Sequence, residues 1–218
     1  MNDRYRFTDR RDAGRRLGER LAADYGGRPG LLVLGLPRGG VPVAFEVARA
    51  LRAPLDVFLV RKLGVPGHEE LAMGAIASGG IRVLNDDVLS ATRIGEAQIE
   101  EVAARELATL ERQEGAYRGD RPPLDPRGRV GILVDDGLAT GATMRAAVEA
   151  LRDRGAAGIV VAVPTAPADA CAALAREVDD VVCVFTPDPF MAVGLWYRDF
   201  APVGDNEVRD LLNEAAAA

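Results

Sequence analysis

Residues 130–143 constrain this chain more than any other stretch. An apolar, β-branched run ends at Val134, two carboxylates follow at Asp135 and Asp136, and a loop of small and hydroxyl residues then leads into a helical pattern. A strand that feeds such a loop at a helix N-terminus predicts an anion site, because free backbone N–H groups and the helix dipole point at the ligand. The acids would repel a phosphate, so they predict contacts with neighbouring sugar hydroxyls or a divalent cation.

This stretch, VDDGLATGAT at its centre, resembles the phosphoribosyl-pyrophosphate (PRPP) motif of the type I phosphoribosyltransferases over about fourteen residues. The resemblance implies that Asp135 and Asp136 hold the ribose hydroxyls, directly or through a water-bridged Mg²⁺. A P-loop or a dinucleotide fingerprint would need lysine or glycine positions that are absent. An ordinary βα turn with an acidic lip is the alternative. The implied 5′-phosphate loop consists of Gly137, Leu138, Ala139, Thr140, Gly141, Ala142 and Thr143.

A second glycine-bearing turn, Leu-Pro-Arg-Gly-Gly, follows the apolar run 31–36 and precedes a helical pattern at 41–51. Its position in chain order resembles the pyrophosphate loop of the same family. A predicted strand at 55–60 ends in Arg61 and Lys62, and adenine and orotate enzymes carry a similar pair there. Cations at the carboxyl end of a parallel strand face the ligand, although a solvated charge pair is the alternative. The implied pyrophosphate site is Pro37, Arg38, Gly39, Gly40, Arg61 and Lys62, and the implied catalytic set is Asp135, Asp136, Lys62 and Arg38.

Two further segments resemble parts of the family fold. Residues 68–84 contain a Gly79-Gly80 hairpin signal and read as an insertion outside the core, which the family uses as a mobile flap. A long amphipathic helix at 96–117 completes this insertion, taken as about 67–117, and is interpreted as a packing or dimer helix. Residues 186–218 gather aromatic side chains and loosely resemble the hood over the base, with a core-closing cluster as the alternative. The implied base pocket is Phe190, Val193 and Trp196.

The overall pattern predicts the fold class. Strands that alternate with helices predict an α/β protein with a mostly parallel, doubly wound sheet flanked by helices. With 218 residues, we expect a single domain over 1–218 that carries the flap hairpin and a small hood.

Composition and charge argue against several classes of protein. A net charge of −6 argues against a nucleic-acid footprint, and no apolar run reaches membrane-spanning length. The charged residues from Asp3 onward predict no secretory signal. Cys171 and Cys183 lack metal spacing and are expected to be buried free thiols in a cytoplasmic protein.

The resemblance therefore implies a Mg²⁺-dependent enzyme of nucleotide salvage, expected to be a homodimer, that transfers 5-phosphoribosyl from PRPP to a nitrogenous base, or the reverse, with release of pyrophosphate. Two departures leave the base and the proton acceptor unassigned. Ala139 stands where 6-oxopurine enzymes place an acid, and the stretch Leu71-Ala72-Met73-Gly74 lacks the glutamate of adenine enzymes, so Glu70 is the nearest candidate base. A PRPP- or nucleotide-binding regulator without turnover and a hydrolase of a ribose phosphate are the alternatives.

Overall fold

The computed structural model describes residues 6–217, so Asp3 and Arg4 of the charged N-terminus and the last residue of the predicted hood lie outside it. Within that range no helix has the length and apolar character needed to cross a bilayer. The helices are α1 Arg10–Tyr25, α2 Gly40–Leu51, α3 Asp86–Thr92, α4 Glu96–Arg118, α5 Ala142–Asp153, α6 Ala168–Leu174 and α7 Asp205–Ala217. The strands are β1 Leu31–Gly35, β2 Leu55–Val57, β3 Val60–Val65, β4 His68–Ala77, β5 Ile81–Leu84, β6 Val130–Val134, β7 Gly158–Thr165 and β8 Asp180–Phe185.

The central sheet is parallel throughout, in the order β2-β1-β6-β7-β8. Its chain order reverses between β1 and β6, and an open α/β sheet binds ligands outside the carboxyl ends of the strands at such a switch point. These two strands are in level register, with Leu31 opposite Val130 and Gly35 opposite Val134. The turns that follow them therefore leave the sheet side by side.

Helices cover both faces of this sheet. Side chains alternate along each strand, so Val33 and Ile132 join one hydrophobic cluster with α1, α2 and α7, while Leu32 and Leu133 join a second cluster with α5. The prediction of a mostly parallel sheet flanked by helices is confirmed.

The predicted flap hairpin forms β4 and β5 of a three-stranded antiparallel sheet, β3-β4-β5, and the expectation that residues 68–84 lie outside the core is wrong. Met73 and Ile76 are 0% and 1% exposed and share a hydrophobic cluster with Leu63 and with apolar residues of α4. One face of the small sheet is thus buried on the stripe of α4, and the longest exposed run of the small sheet is 66–71, the turn between β3 and β4 with the start of β4.

The strand predicted at 55–60 ends at Val57, and a new strand starts at Val60. Arg61 and Lys62 consequently lie within β3 of the small sheet and not in a loop at the carboxyl end of a central strand. Successive side chains of a strand point to opposite faces, so the two cations diverge.

The expectation of free thiols is also wrong, because Cys171 and Cys183 form a disulfide. Cys171 lies in α6 and Cys183 in β8, and α6 packs against β8. The pairing depends on how this helix lies on its strand, which the spacing of twelve residues does not reveal.

Candidate functional site

The turns after β1 and β6 are in direct contact, and two glycines make the contact possible. A Cβ atom added to Gly40 would lie 2.6 Å from the carbonyl oxygen of Val134 and 2.8 Å from Cα of Asp135. One added to Gly39 would lie 2.7 Å from Cγ of Asp136. Real Cβ atoms do not approach so closely, so only glycine lets the first turn pack on the acid pair.

Asp136 is held from three sides. Arg10 Nε donates to Asp136 Oδ2 at 2.8 Å, and the Tyr197 hydroxyl donates to the Asp136 carbonyl at 2.6 Å. The Asp136 amide donates to Oδ1 of Asp135 at 2.8 Å. With its side chain 16% exposed, Asp136 is fixed in place and still reachable from the cleft.

The charged forms of Asp135 and Asp136 are disfavoured at their positions. Burial raises the pKa of Asp135 well above the ordinary range, and the negative charge of Asp136 raises it further. Burial also raises the pKa of Asp136, although the hydrogen bond and positive charge of Arg10 lower it in part. A cation or hydroxyl donors arriving from the cleft would stabilise the charged pair.

The loop at 137–141 connects the acids to the N-terminus of α5. Its Leu138 amide donates to the Thr165 carbonyl at 3.0 Å, which ties the loop to β7. Gly141 has a φ of 75°, a left-handed conformation that suits glycine. Thr140 and Thr143 are exposed, so their hydroxyls and the first amides of α5 can meet an anion.

The predicted pyrophosphate cations do not form one cluster. Arg38, whose peptide bond with Pro37 is cis, is half exposed and lies 3.7 Å (Nη1) from Asp205 Oδ1. Lys62 Nζ lies 3.5 Å from Glu70 Oε2. Arg61 Nε pairs with Glu106 of α4 at 2.8 Å.

Lys62 instead faces the phosphate loop. It lines a cavity of about 550 Å³ together with Ala142 and Thr143 at the start of α5. Residues of the small sheet, of α3 and of the first turns of α5 line this space, which lies beside the loop that we assigned to the 5′-phosphate.

The predicted base-pocket residues differ in position. Val193 lies against the loop, because a Cβ atom on Gly137 would approach its Cγ2 to 2.9 Å. Trp196 is 8% exposed, with its ring edge-on to Phe185 at 5.1 Å between centroids. Phe190 is half-buried. Of the three, Val193 is thus the residue placed directly against Gly137 of the phosphate loop.

Sequence reasoning missed Arg10 and Tyr197. Besides Asp136, Arg10 donates to the Ala201 carbonyl at 2.8 Å and stacks 3.9 Å above the ring of Phe200. It thereby links α1, the acid pair and the C-terminal segment. Arg10 and Asp136 are 126 positions apart, and nothing in the local pattern of α1 distinguishes Arg10 from the arginines that follow it.

Comparison with known proteins gives one family. The profile of the phosphoribosyl transferase domain matches residues 9–192. A Mycobacterium tuberculosis protein provisionally named a phosphoribosyl transferase is 50% identical over 209 residues, 96% of this chain and 47% of its own length. The chain thus spans about half the length of that relative.

Two more relatives extend this comparison. The crystal structure of TT1426 from Thermus thermophilus superposes with a TM-score of 0.84 at 45% identity, covering 96% of this chain and 98% of that one. The bifunctional protein PyrR of Chloroflexus aurantiacus is 35% identical over 127 residues, 54% of this chain and 60% of its own length.

Proposed function

Because the chain belongs to the phosphoribosyl transferase domain family, we propose that it transfers the 5-phosphoribosyl group of PRPP to a nitrogenous base, or runs the reverse reaction, with pyrophosphate as the second product. One observation carries this proposal. The glycine turn after β1 packs directly on the acid pair after β6, so a pyrophosphate site, a sugar site and a phosphate site adjoin at the switch point of the sheet.

The 5′-phosphate binds the loop at 137–143. Free amides at the start of α5 and the hydroxyls of Thr140 and Thr143 supply donors, and the dipole of a twelve-residue helix favours negative charge there. Lys62 adds a cation from the lining of the adjoining cavity.

The ribose lies over the acid pair. Its hydroxyls donate to Asp135 and Asp136, whose raised pKa values reflect burial without enough donors. Arg10 and Tyr197 are positioning residues, since each hydrogen-bonds to Asp136 and holds it in place.

The acid pair fits Mg²⁺ as a substrate-bound ion and not as a protein-caged one. Among residues 6–217 there is no group of three or more side chains that could hold a metal. Mg²⁺ uses one or two carboxylates together with substrate oxygens and water, and Asp135 and Asp136 match that donor set. When bound, it would neutralise charge on the departing pyrophosphate.

Arg38 supports the leaving group from the protein side. It is half exposed, and its ion pair with Asp205 is long at 3.7 Å. Exposed pairs contribute about 1 kcal/mol or less, so the guanidinium can leave Asp205 and bind pyrophosphate oxygens with a bidentate fork.

The base lies under the C-terminal segment, beside Val193, with Phe190 and Trp196 shaping the pocket. No acid stands at Ala139, and exposed Glu70 is paired with Lys62. This lack of an evident proton acceptor favours a second candidate, a PRPP-binding protein without turnover. A homodimer belongs to the proposal, since a partner subunit could complete the site.

Pyrophosphate release from PRPP with Mg²⁺, measured against a panel of purine and pyrimidine bases, tests the proposal. We expect release that depends on one base or a few related bases and that is lost in Asp136→Asn. Release without any base would favour a hydrolase. PRPP binding with no release would favour the regulator, and absence of both would contradict the proposed function.

A further inference from the structure

A second cavity, of about 840 Å³, lies at the opposite edge of the central sheet. Its walls come from the end of α2, the start of β2, the connector after α4 and the end of α7. Helix α2 begins at Gly40 beside the acid pair and ends at this cavity, and its twelve residues span about 18 Å. The cavity is therefore separate from the candidate active site.

The lining of this cavity is strongly basic. Of the described residues around it, four are arginines, and Asp56 is the one acid. In a chain with a net charge of −6, such a cluster makes a local positive region that attracts anions. The arginines are Arg49, Arg52, Arg118 and Arg121.

Both carboxylate oxygens of Asp56 already accept hydrogen bonds from the protein. Asp56 Oδ1 accepts from Arg118 Nε at 2.8 Å and from the Val57 amide at 2.8 Å, and Oδ2 accepts from the Leu124 amide at 2.9 Å. Arg118 in turn pairs with Glu114 at 3.2 Å. Asp56 and Arg118 thus offset each other's charge, and both oxygens of Asp56 are occupied by donors other than Arg49, Arg52 and Arg121.

Two of those arginines retain unused donors. Arg121 is anchored through Nε to the Arg118 carbonyl at 3.1 Å and through Nη1 to the Leu212 carbonyl at 2.6 Å. Its Nη2 atom is buried and has no hydrogen-bond partner among residues 6–217. A buried donor without a partner is costly, so a small turn of this guanidinium that lets a ligand in the cavity accept from Nη2 would be favourable.

Arg52 is the second arginine of the lining with unused donors. It ends α2 in a left-handed conformation, with φ of 53°, and is exposed. Within the described part of the chain it has no ion pair. Arg49 shares Glu46 with Arg11 and Arg15, at 3.2 Å for Arg49, so it too is only partly neutralised.

The remaining walls are apolar, formed by small and cyclic side chains. We infer that this cavity binds an organic phosphate: a phosphate group held by Arg52 and Arg121, joined to a flat apolar body that lies against the apolar walls. Arginine's planar fork matches phosphate oxygens, and a mostly apolar pocket with a few placed charges is typical of small-molecule sites. The inference does not depend on the proposed function. The apolar walls include Ala53, Pro54, Leu55, Pro122, Ala215 and Ala216.

Calorimetry with 1-naphthyl phosphate tests this site, since the probe has the phosphate and the flat body but no ribose. We expect binding to the wild type at concentrations up to about 1 mM and much weaker binding of 1-naphthol. Arg52→Ala should weaken binding about tenfold, as expected for loss of one hydrogen bond to a charged group. Ala216→Trp, at an exposed wall position, should block it.

Arg20→Ala is the matched control, because Arg20 is exposed on α1 and pairs with Asp24 away from the cavity. It should bind the probe as the wild type does. The inference is overturned if the wild type does not bind, if Arg52→Ala and Ala216→Trp bind unchanged, or if PRPP with Mg²⁺ displaces the probe. Displacement would place the probe in the candidate active site.

Discussion

Arg10 Nε lies 2.8 Å from Asp136 Oδ2, and both side chains are largely buried, at 12% and 16% exposed. This contact joins the first turn of α1 to the acid assigned to the ribose. The positive charge of Arg10 offsets part of the cost of burying the Asp136 carboxylate beside that of Asp135. Its loss should therefore affect both stability and PRPP binding.

Arg10→Met keeps the length of the side chain but leaves Asp136 without its cation. We expect a loss of about 3 kcal/mol in the free energy of unfolding, the low end for removing one partner of a buried pair, because an uncompensated charge is left behind. Chemical denaturation measures this. Arg15→Met is the control, because Arg15 is exposed and its ion pairs are 3.8 and 4.0 Å long. In an Asp136→Asn background the cost of Arg10→Met should shrink markedly, and an unchanged cost would mean that the pair is not coupled.

Asp135→Asn should make the protein more stable at neutral pH and unable to bind PRPP. The pKa of Asp135 is raised in the folded state by burial and by Asp136. Its contribution to stability is therefore full below the ordinary carboxyl pKa, near 4, and is lost as pH rises through the raised value. The asparagine keeps the acceptor for the Asp136 amide and removes the charge.

We expect the Asp135→Asn protein to gain about 1 kcal/mol at pH 7, or roughly 2–4 °C in Tm. The gain should vanish below about pH 4. Thermal melts across this range give the comparison, with exposed Asp120→Asn as control. A variant less stable than the wild type at pH 7 would show that the charge of Asp135 is already compensated.

Gly40→Ala should disturb the junction of the two turns. The new Cβ would meet backbone atoms of Val134 and Asp135 at 2.6 and 2.8 Å, and backbone cannot move aside cheaply. We expect a loss of about 1–3 kcal/mol and weaker PRPP binding. Gly115→Ala is the matched control, since nothing lies within 4 Å of its Cβ position in α4 and alanine should stabilise a helix interior by about 0.5–1 kcal/mol. Equal effects at both positions would contradict the close approach.

Arg38→Ala should weaken PRPP binding much more than binding of a nucleoside monophosphate, because only PRPP carries pyrophosphate. Lys62→Ala should weaken binding of both ligands, since Lys62 lines the cavity beside Thr143. Calorimetry with the two ligands separates these roles. Arg82→Ala, which removes an exposed cation paired with Glu100, should change neither. Equal losses for both ligands in Arg38→Ala would contradict a leaving-group role.

The sequence revealed the parts of this fold that depend on local patterns. Apolar runs followed by glycine turns predict β1, β6 and the helices after them. The small sheet was misread because burial of Met73 and Ile76 depends on α4, about thirty residues further along the chain.

Side-chain pairing across the fold was not predictable. Arg10 meets Asp136 only because α1 begins at the carboxyl edge of the sheet, and Cys171 meets Cys183 only because α6 lies along β8. Such contacts depend on how helices are oriented on the sheet, and periodicity along one helix carries no information about that orientation.

The most direct test of the proposed site is a crystal structure of the protein with PRPP and Mg²⁺. We expect the 5′-phosphate within about 3 Å of backbone amides in the loop at 137–143 and the ribose hydroxyls on Asp135 and Asp136. A 5′-phosphate bound elsewhere, more than a few residues from that loop, would contradict the assignment.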